Sequence, residues 1–358
     1  MKKAFVVCAS LSFVLVSAVS SMATDWNFYG SARMAPFMYN ESEEVTSTGS
    51  DDKDLTWDLL STSRFGGKVN SGPVGFRVEC SSESTKKLRL FYGTWKFGAG
   101  TLLVGHDYTP VYYPISNQAV NNDVALKGYG VFYGGRKPQL KLTMKGFQVA
   151  LVEPQTTTVV PDAADTDTTI PKIEVSYGFD IGPVALYLAG GYNTHDDVVA
   201  TGSEYNIDAT VLGLGLKFAT GPLYANATVY GAKNPGNFGL SDECGKVITT
   251  KAAFNSSTDE VEDVDSVGYA LVVGFKVRPS ITLEAGYGMV SDEYGSGATK
   301  TEAGVSSYYL NAKIMLVKGA CVVPEIGMID YGDVKVSGQP DTDAGDITYY
   351  GAKFQIDF

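Results

Sequence analysis

The chain holds two histidines, His106 and His195, and four cysteines, Cys8, Cys80, Cys244 and Cys321. These residue types make nucleophiles, proton shuttles and soft metal sites, and their spacing here supports none of them. Neither histidine has a cysteine, histidine or HExxH partner at metal-ligand spacing. No GxSxG elbow, Walker loop or GxGxxG run occurs. No CxxC pair occurs, and the three cysteines beyond Cys8 are an odd number, so a full disulfide framework is excluded. Cys80 and Cys321 read as small strand residues, and a Cys80–Cys244 bridge is the lesser alternative. The run Asp259-Glu260-Val261-Glu262-Asp263-Val264-Asp265 lacks EF-hand spacing and reads as a solvated acidic loop rather than a cation site. No catalytic residue, cofactor or metal is therefore expected. What remains is fixed charge. Arg33, Arg64, Lys68, Arg77, Arg89, Lys141, Lys276, Lys313 and Lys353 fall on the polar side of alternating segments, together with Glu79, Glu174, Glu284 and Glu325. Ordered point charges without a proton-transfer partner do electrostatic work: they attract, repel and orient ions.

The elements that carry these charges alternate with a period of two. At the C-terminus Tyr350, Ala352, Phe354, Ile356 and Phe358 share one face, and Tyr349, Gly351, Lys353, Gln355 and Asp357 share the other. Ile281, Leu283, Ala285, Tyr287 and Met289 oppose Thr282, Glu284, Gly286 and Gly288 in the same way. Such alternation marks strands with a different solvent on each face.

The connections come in two lengths. Seven are tight and rich in Gly and Pro: 71–73, 98–100, 145–146, 180–183, 220–222, 278–280 and 317–320. Eight are long and polar: 40–54, 81–87, 107–125, 155–169, 195–204, 233–265, 292–304 and 332–346. Fifteen connections join sixteen strands, and an even number lets the first and last pair antiparallel and close the sheet. Short turns at one end and long loops at the other are the layout of a sixteen-stranded antiparallel transmembrane β-barrel. Closure matters because an open edge has no hydrogen-bond partners in lipid. A soluble β-sandwich or β-solenoid would not separate its connections by length so systematically. Trp26, Phe28, Trp57, Tyr177, Phe179, Phe218, Tyr350 and Phe358 stand at strand ends, where interfacial aromatic girdles form.

Composition narrows the class further. The 358 residues carry 40 acids against 28 bases and a net charge of -12, which is no footprint for nucleic acid. Only the first 23 residues approach an apolar run of membrane-spanning kind. Lys2 and Lys3, the apolar stretch 4–19 and Ser21-Met22-Ala23 read as a secretory signal peptide over residues 1–23, leaving 24–358 as a single barrel domain. A retained anchoring helix is the alternative. Loss of the two lysines takes the net charge from -12 to -14. All the long connections except 81–87 are net acidic, so the bases concentrate in the strands.

These features resemble the Gram-negative general (non-specific) porins of the outer membrane. The resemblance rests on Asp25-Trp26-Asn27-Phe28-Tyr29-Gly30-Ser31-Ala32, on Arg-Phe-Gly-Gly-Lys at 64–68, on Leu88-Arg89-Leu90-Phe91-Tyr92-Gly93 and on the sixteen-strand rhythm. The terminal Phe358, with Ile356, Phe354 and Tyr350 alternating before it, looks like the family's barrel-assembly signal. The resemblance implies a homotrimer of passive channels, partnered by membrane lipid, lipopolysaccharide and the barrel-assembly machinery, and no enzyme.

It also implies a site. In the family a basic wall faces acids on an inward-folded third loop, and Arg64 and Arg89 match the basic wall positions on strands 2 and 4. Lys68, Arg77, Arg33 and Lys141 would line the same lumen. The third long connection, 107–125, holds Asp107, Tyr108, Tyr112, Tyr113 and Asp123 and is aromatic and poor in charge. That suits a loop packed inside a lumen; an ordinary surface loop is the plainer reading. The family's Pro-Glu-Phe-Gly run is absent, and Asp107 and Asp123 are the acids expected opposite Arg64 and Arg89. A sugar- or anion-specific channel is the main alternative function, with Tyr112, Tyr113, Phe91 and Trp95 as candidate stacking residues. An outer-membrane hydrolase, assembled from residues on several strands, and a structural or adhesive barrel are more distant ones.

Overall fold

The computed structural model describes residues 26–46, 50–82, 88–295 and 300–358. The signal-peptide reading lies outside these residues. Sixteen strands cross the barrel: β1 (Asn27–Glu41), β2 in two arms (Asp52–Leu59 and Arg64–Ser71), β3 (Val74–Ser81), β4 (Leu88–Phe97), β5 (Gly100–Tyr108), β6 (Arg136–Met144), β7 (Phe147–Val152) and β8 (Lys172–Ile181). They continue as β9 (Val184–Val199), β10 (Glu204–Thr220), β11 (Leu223–Lys233), β12 (Val264–Arg278), β13 (Ile281–Tyr294), β14 (Thr301–Val317), β15 (Ala320–Asp330) and β16 (Asp346–Asp357). Each pairs antiparallel with its neighbours, and β1 closes on β16 with Ser31 opposite Asp357. Gly30 and Phe358 exchange backbone hydrogen bonds at 3.0 and 3.1 Å, so the last residue completes the ladder.

The two faces separate as the alternation predicts. Leu271, Phe275, Ile326, Tyr350, Phe354 and Ile356 stand exposed on the outside, while Glu284, Glu325 and Lys353 are buried on the inside. At the Gly-Pro turns 72–73, 182–183 and 221–222 glycine takes φ near 57°. A side chain would resist that value, and proline supplies the negative φ that follows.

Three connections differ most from the sequence reading. The third runs 109–135, not 107–125, so Asp107 and Tyr108 belong to β5. The fifth shrinks to 200–203, because β9 and β10 stay paired as a long hairpin out to Val198 and Glu204. The sixth, 234–263, was expected to be a solvated outer loop. Its first half instead folds inward, with Phe238 and Cys244 fully buried.

The lumen is therefore filled on one side. Loop 3 places Val120, Leu126, Tyr129 and Phe132 against inward Val211, Val272, Val290 and Val305 of the far wall. Apolar inward residues lose nothing there, because the loop and not water covers them. Gly288 marks how close the approach is: a Cβ built on it would sit 2.0 Å from the carbonyl oxygen of Tyr129.

Candidate functional site

Loop 3 is held by the wall carboxylates. Glu174 on β8 accepts the amide of Val111 at 2.9 Å. Glu284 on β13 accepts the backbone and side-chain amides of Asn117 at 2.7 and 2.6 Å. Glu325 on β15 accepts the amides of Ala119 and Val120 at 2.7 and 3.1 Å. Gln118 donates to Ser307 and Tyr349, and its own oxygen takes the amide of Leu126. These acids face the lumen as expected, but they serve as anchors and not as free charges. The loop's apex is a tight coil in which Asn121, Asn122, Asp123, Ala125 and Leu126 all take φ of 48–62°. Five left-handed non-glycine residues in six are costly, and the surrounding bonds hold them there.

Opposite the apex the basic wall gathers around one acid. Glu79 on β3 is buried and takes Arg89 at 2.7 Å, Arg77 at 3.3 Å and the hydroxyl of Tyr29 at 2.8 Å, with Arg64 at 3.9 Å. A register shift between Glu79 and Cys80 lets Arg89 and Leu90 both reach the interior. Three guanidinium groups share one carboxylate, so the cluster keeps positive charge. Lys68 stands opposite Arg77 in the ladder and is exposed on the turn side.

The acids expected opposite Arg64 and Arg89 sit elsewhere. Asp123 binds Arg33 at 2.7 Å, Lys353 and the hydroxyl of Thr62. Burial raises its pKa, but Lys353 and Arg33 outweigh that and hold it below the usual carboxylate range. Asp107 is bound by Lys141 at 2.8 Å. The acid actually facing Arg64 and Arg89 is Glu79, from the wall itself. The pairing expected from the loop fails because each loop acid has a nearer cation.

Aromatic residues complete the waist. Tyr108 stacks on Tyr112 with ring centroids 5.0 Å apart, and Tyr133 packs edge-on to Tyr112 at 4.9 Å. Arg136 lies 5.3 Å over Tyr108 and Lys127 5.3 Å over Tyr133. Tyr113 is on the other side of the loop, stacked on Tyr187 at 4.8 Å with Lys217 over its ring. Phe91 and Trp95 point outward and are half exposed, so neither stacks a solute in the lumen.

Open space runs past this waist. A cavity of 410 Å³ on the turn side is lined by Arg33, Arg64, Arg77, Asp107 and Tyr108. One of 260 Å³ on the loop side is lined by Arg89, Lys127, Arg136, Glu243 and the same Tyr108. Above lies an outer recess with Glu41, Asp54 and Asp58. Below loop 3, on the far wall, a 660 Å³ recess carries Lys217, Lys276 and Lys313. Acid lies outside and base within.

Sequence reasoning missed Lys127 and Arg136, because it ended the third connection at 125. The signal was present: Gly128, Gly130, Gly134 and Gly135 crowd the following stretch, and the first three fit close approaches that a Cβ would obstruct. Lys127 is half-buried, and its pKa is lowered to about 8 chiefly by burial, with Asp123 opposing the shift and Arg136, Arg89 and Arg33 adding to it.

Comparison with known proteins agrees with this geometry. The family model for Gram-negative porin matches residues 8–334. No curated protein matches. Several solved structures share the fold. OmpT, an outer membrane protein of Vibrio cholerae solved in a trimer form, is 18% identical with a TM-score of 0.62, over 94% of this chain and 100% of that one. The outer membrane channel DcaP of Acinetobacter baumannii is 15% identical with a TM-score of 0.69, over 94% and 97%. An anion-selective porin from Comamonas acidovorans is 13% identical with a TM-score of 0.61, over 94% and 100%. The chain belongs to the Gram-negative porins and is a channel of the outer membrane.

Proposed function

We propose that the chain forms a passive, water-filled pore for small hydrophilic solutes and ions, with a preference for anions. The observation that carries this is the arginine cluster around Glu79, which retains net positive charge and faces a neutral aromatic loop surface. Lys127 and Arg136 extend it above the waist; below, Lys141 is matched by Asp107, and Arg33 shares Asp123 with Lys353. In a narrow, low-dielectric passage such an excess attracts anions and rejects cations. The acidic outer recess acts at longer range and is screened by salt within about 10 Å at 0.1 M. Planar-bilayer recording across a salt gradient tests the reading. The reversal potential is expected on the anion side, and one on the cation side refutes it.

A second reading is an anion- or sugar-specific channel. The tyrosine cluster Tyr108–Tyr112–Tyr133 beside Arg136 favours it, since stacked rings next to guanidinium groups suit a planar or sugar-bearing anion. Saturable block of conductance by one solute class supports that reading; indifference to all supports a general pore.

His195 has a structural role in this reading. His195 is buried and contacts the carbonyl of Thr157, while neighbouring Asp197 accepts the amides of Val159 and Val160. Both hold the fourth loop down. A homotrimer is inferred from family membership and is tested by native mass measurement in detergent. Gly30 on β1 and Gly67 on β2 lie under the rings of Phe358 and Phe28, so they pack aromatic residues of their own chain. Phe358, Ile356, Phe354 and Tyr350 face outward, a disposition that suits recognition by assembly machinery and contact with lipid and lipopolysaccharide. Cleavage after Ala23 is expected and is read by intact mass of the exported chain.

A further inference from the structure

The inward half of loop 6 brings a second set of charges against the far wall. Asp242 accepts the amide of Cys244 at 3.0 Å and the hydroxyl of Ser266 at 3.2 Å. Asp292, on β13, lies opposite Ser266 in the ladder and is almost fully buried. Neither of its carboxylate oxygens makes a well-formed hydrogen bond, and its polar neighbours are the Ser266 hydroxyl and the Asp242 carboxyl. The hydroxyl of buried Tyr230 nearby also makes no well-formed hydrogen bond, and it lies within electrostatic range of both acids. One ligand atom each from Asp242, Cys244 and Asp292 lies within 4.8 Å of the other two. No lysine or arginine pairs with either acid among the described residues.

Two carboxylates buried side by side, one of them without a well-formed hydrogen bond, need either a shared proton or a counter-charge. The poorly bonded Asp292 oxygens point to a ligand rather than to a finished hydrogen-bond network. We propose that Asp242, Cys244 and Asp292 bind a divalent cation of borderline softness, with Zn²⁺ as the type ion. Two carboxylate oxygens and one thiol are a donor set for Zn²⁺, whereas Ca²⁺ and Mg²⁺ take more ligands and only oxygen. A water beside the Ser266 hydroxyl, which donates to Asp242, would complete four-coordination. Binding converts the Cys244 thiol to a thiolate and releases its proton to solvent. The thiol now faces the carbonyls of Val290 and Ala303 at 3.5 and 3.7 Å, weak contacts that ligation would replace.

The consequence is mechanical. The cation ties loop 6 to the barrel wall beside β13 and β14. Next to it, Glu243 donates its amide to Gly128 of loop 3 at 3.2 Å, and its side chain lines the cavity above the waist. The site thus fixes the relative position of the two loops that bound the passage. The spacing Asp242-x-Cys244, with Asp292 far along the chain, resembles no linear metal motif, which is why the sequence does not announce it. The inference depends on the loop 6 geometry and not on the ion preference of the pore.

The test uses full-length folded protein stripped with a chelator. Zn²⁺ is titrated calorimetrically in two buffers of different ionisation enthalpy, and Co²⁺ is titrated optically. The expected result is one ion per chain, with proton release and a thiolate-to-cobalt charge-transfer band. Cys244→Ser removes the band, and Asp292→Asn weakens Zn²⁺ binding at least tenfold, with sheet content checked by circular dichroism. Should Asp292→Asn fail to fold, Cys244→Ser and Cys244→Ala still decide the matter. Absence of stoichiometric binding overturns the proposal and leaves a proton shared between Asp242 and Asp292. Binding unchanged in both variants also overturns it and places the ion elsewhere.

Discussion

Glu325 on β15 accepts the backbone amide of Ala119, 206 residues earlier in the chain, at 2.7 Å. The same carboxylate takes the amide of Val120. With Glu284 and Glu174 it forms a line of acids across the far wall, each satisfying backbone donors of loop 3 that would otherwise be buried without partners. These bonds hold the body of the loop against the far wall, while Asp123 at its apex is tied to Arg33 and Lys353.

Replacing these anchors should loosen the loop. Glu284→Gln and Glu325→Gln keep the size but lose the charge and one acceptor. A hydrogen bond to a charged group is worth about 1.5–3 kcal/mol, and an amide left unpaired costs about 1–3 kcal/mol. The expected outcome is a larger and noisier single-channel conductance, greatest in the double variant. Conductance equal to wild type in the double variant would show that packing alone holds the loop.

Gly288 gives an independent handle on the same contact. Gly288→Val forces a side chain into the carbonyl of Tyr129, which is backbone and cannot rotate away. Overpacking of this kind costs about 1–3 kcal/mol. Loop 3 should shift toward the basic wall, lowering conductance where the anchor variants raise it. The opposite signs separate crowding from release.

Lys127 makes ion preference depend on pH. Its pKa is lowered to about 8 by burial, so it is charged at neutral pH and neutral by about 9.5. Anion preference should therefore fall as pH rises through 8. Lys127→Arg should abolish that dependence, and Lys127→Met should show the high-pH preference throughout. Reversal potentials measured between pH 6.5 and 9.5 check all three.

The barrel was legible in the sequence because its two solvents impose a strict alternation. The tight turns carry Gly and Pro where the backbone demands them. The basic wall was legible for the same reason: a guanidinium group facing lipid costs about 2–4 kcal/mol at the midplane, so Arg64, Arg77 and Arg89 had to face inward. The partners were not legible. Whether Asp123 meets Arg64 or Arg33 depends on how a loop folds in three dimensions, and alternation carries no information about loops. Loop 6 was misread because its acidic second half masks the apolar Phe238, Leu240 and Cys244 of the first. The wall valines 272, 290 and 305 hinted at a covering segment, since apolar residues on a lumen face need one.

Asp123 offers the sharpest separation of structural and electrostatic effects. It pairs with Arg33 and Lys353 at once, leaving one positive charge over, and its side chain is 12% exposed. Its folded pKa is depressed, so its contribution to stability is complete above the ordinary carboxylate value of about 3.9. That contribution is lost only as pH falls through the depressed folded value. Acid should thus loosen loop 3 only below the ordinary carboxylate range. Asp123→Asn removes the charge at every pH and strands two buried cations, at a cost of about 3–5 kcal/mol. The reversal potential should move further to the anion side, and the variant should lose thermal stability. If stability falls but the reversal potential stays fixed, Arg33 and Lys353 lie outside the conducting path. Selectivity then resides in the Glu79 cluster and the pair Lys127 and Arg136 alone.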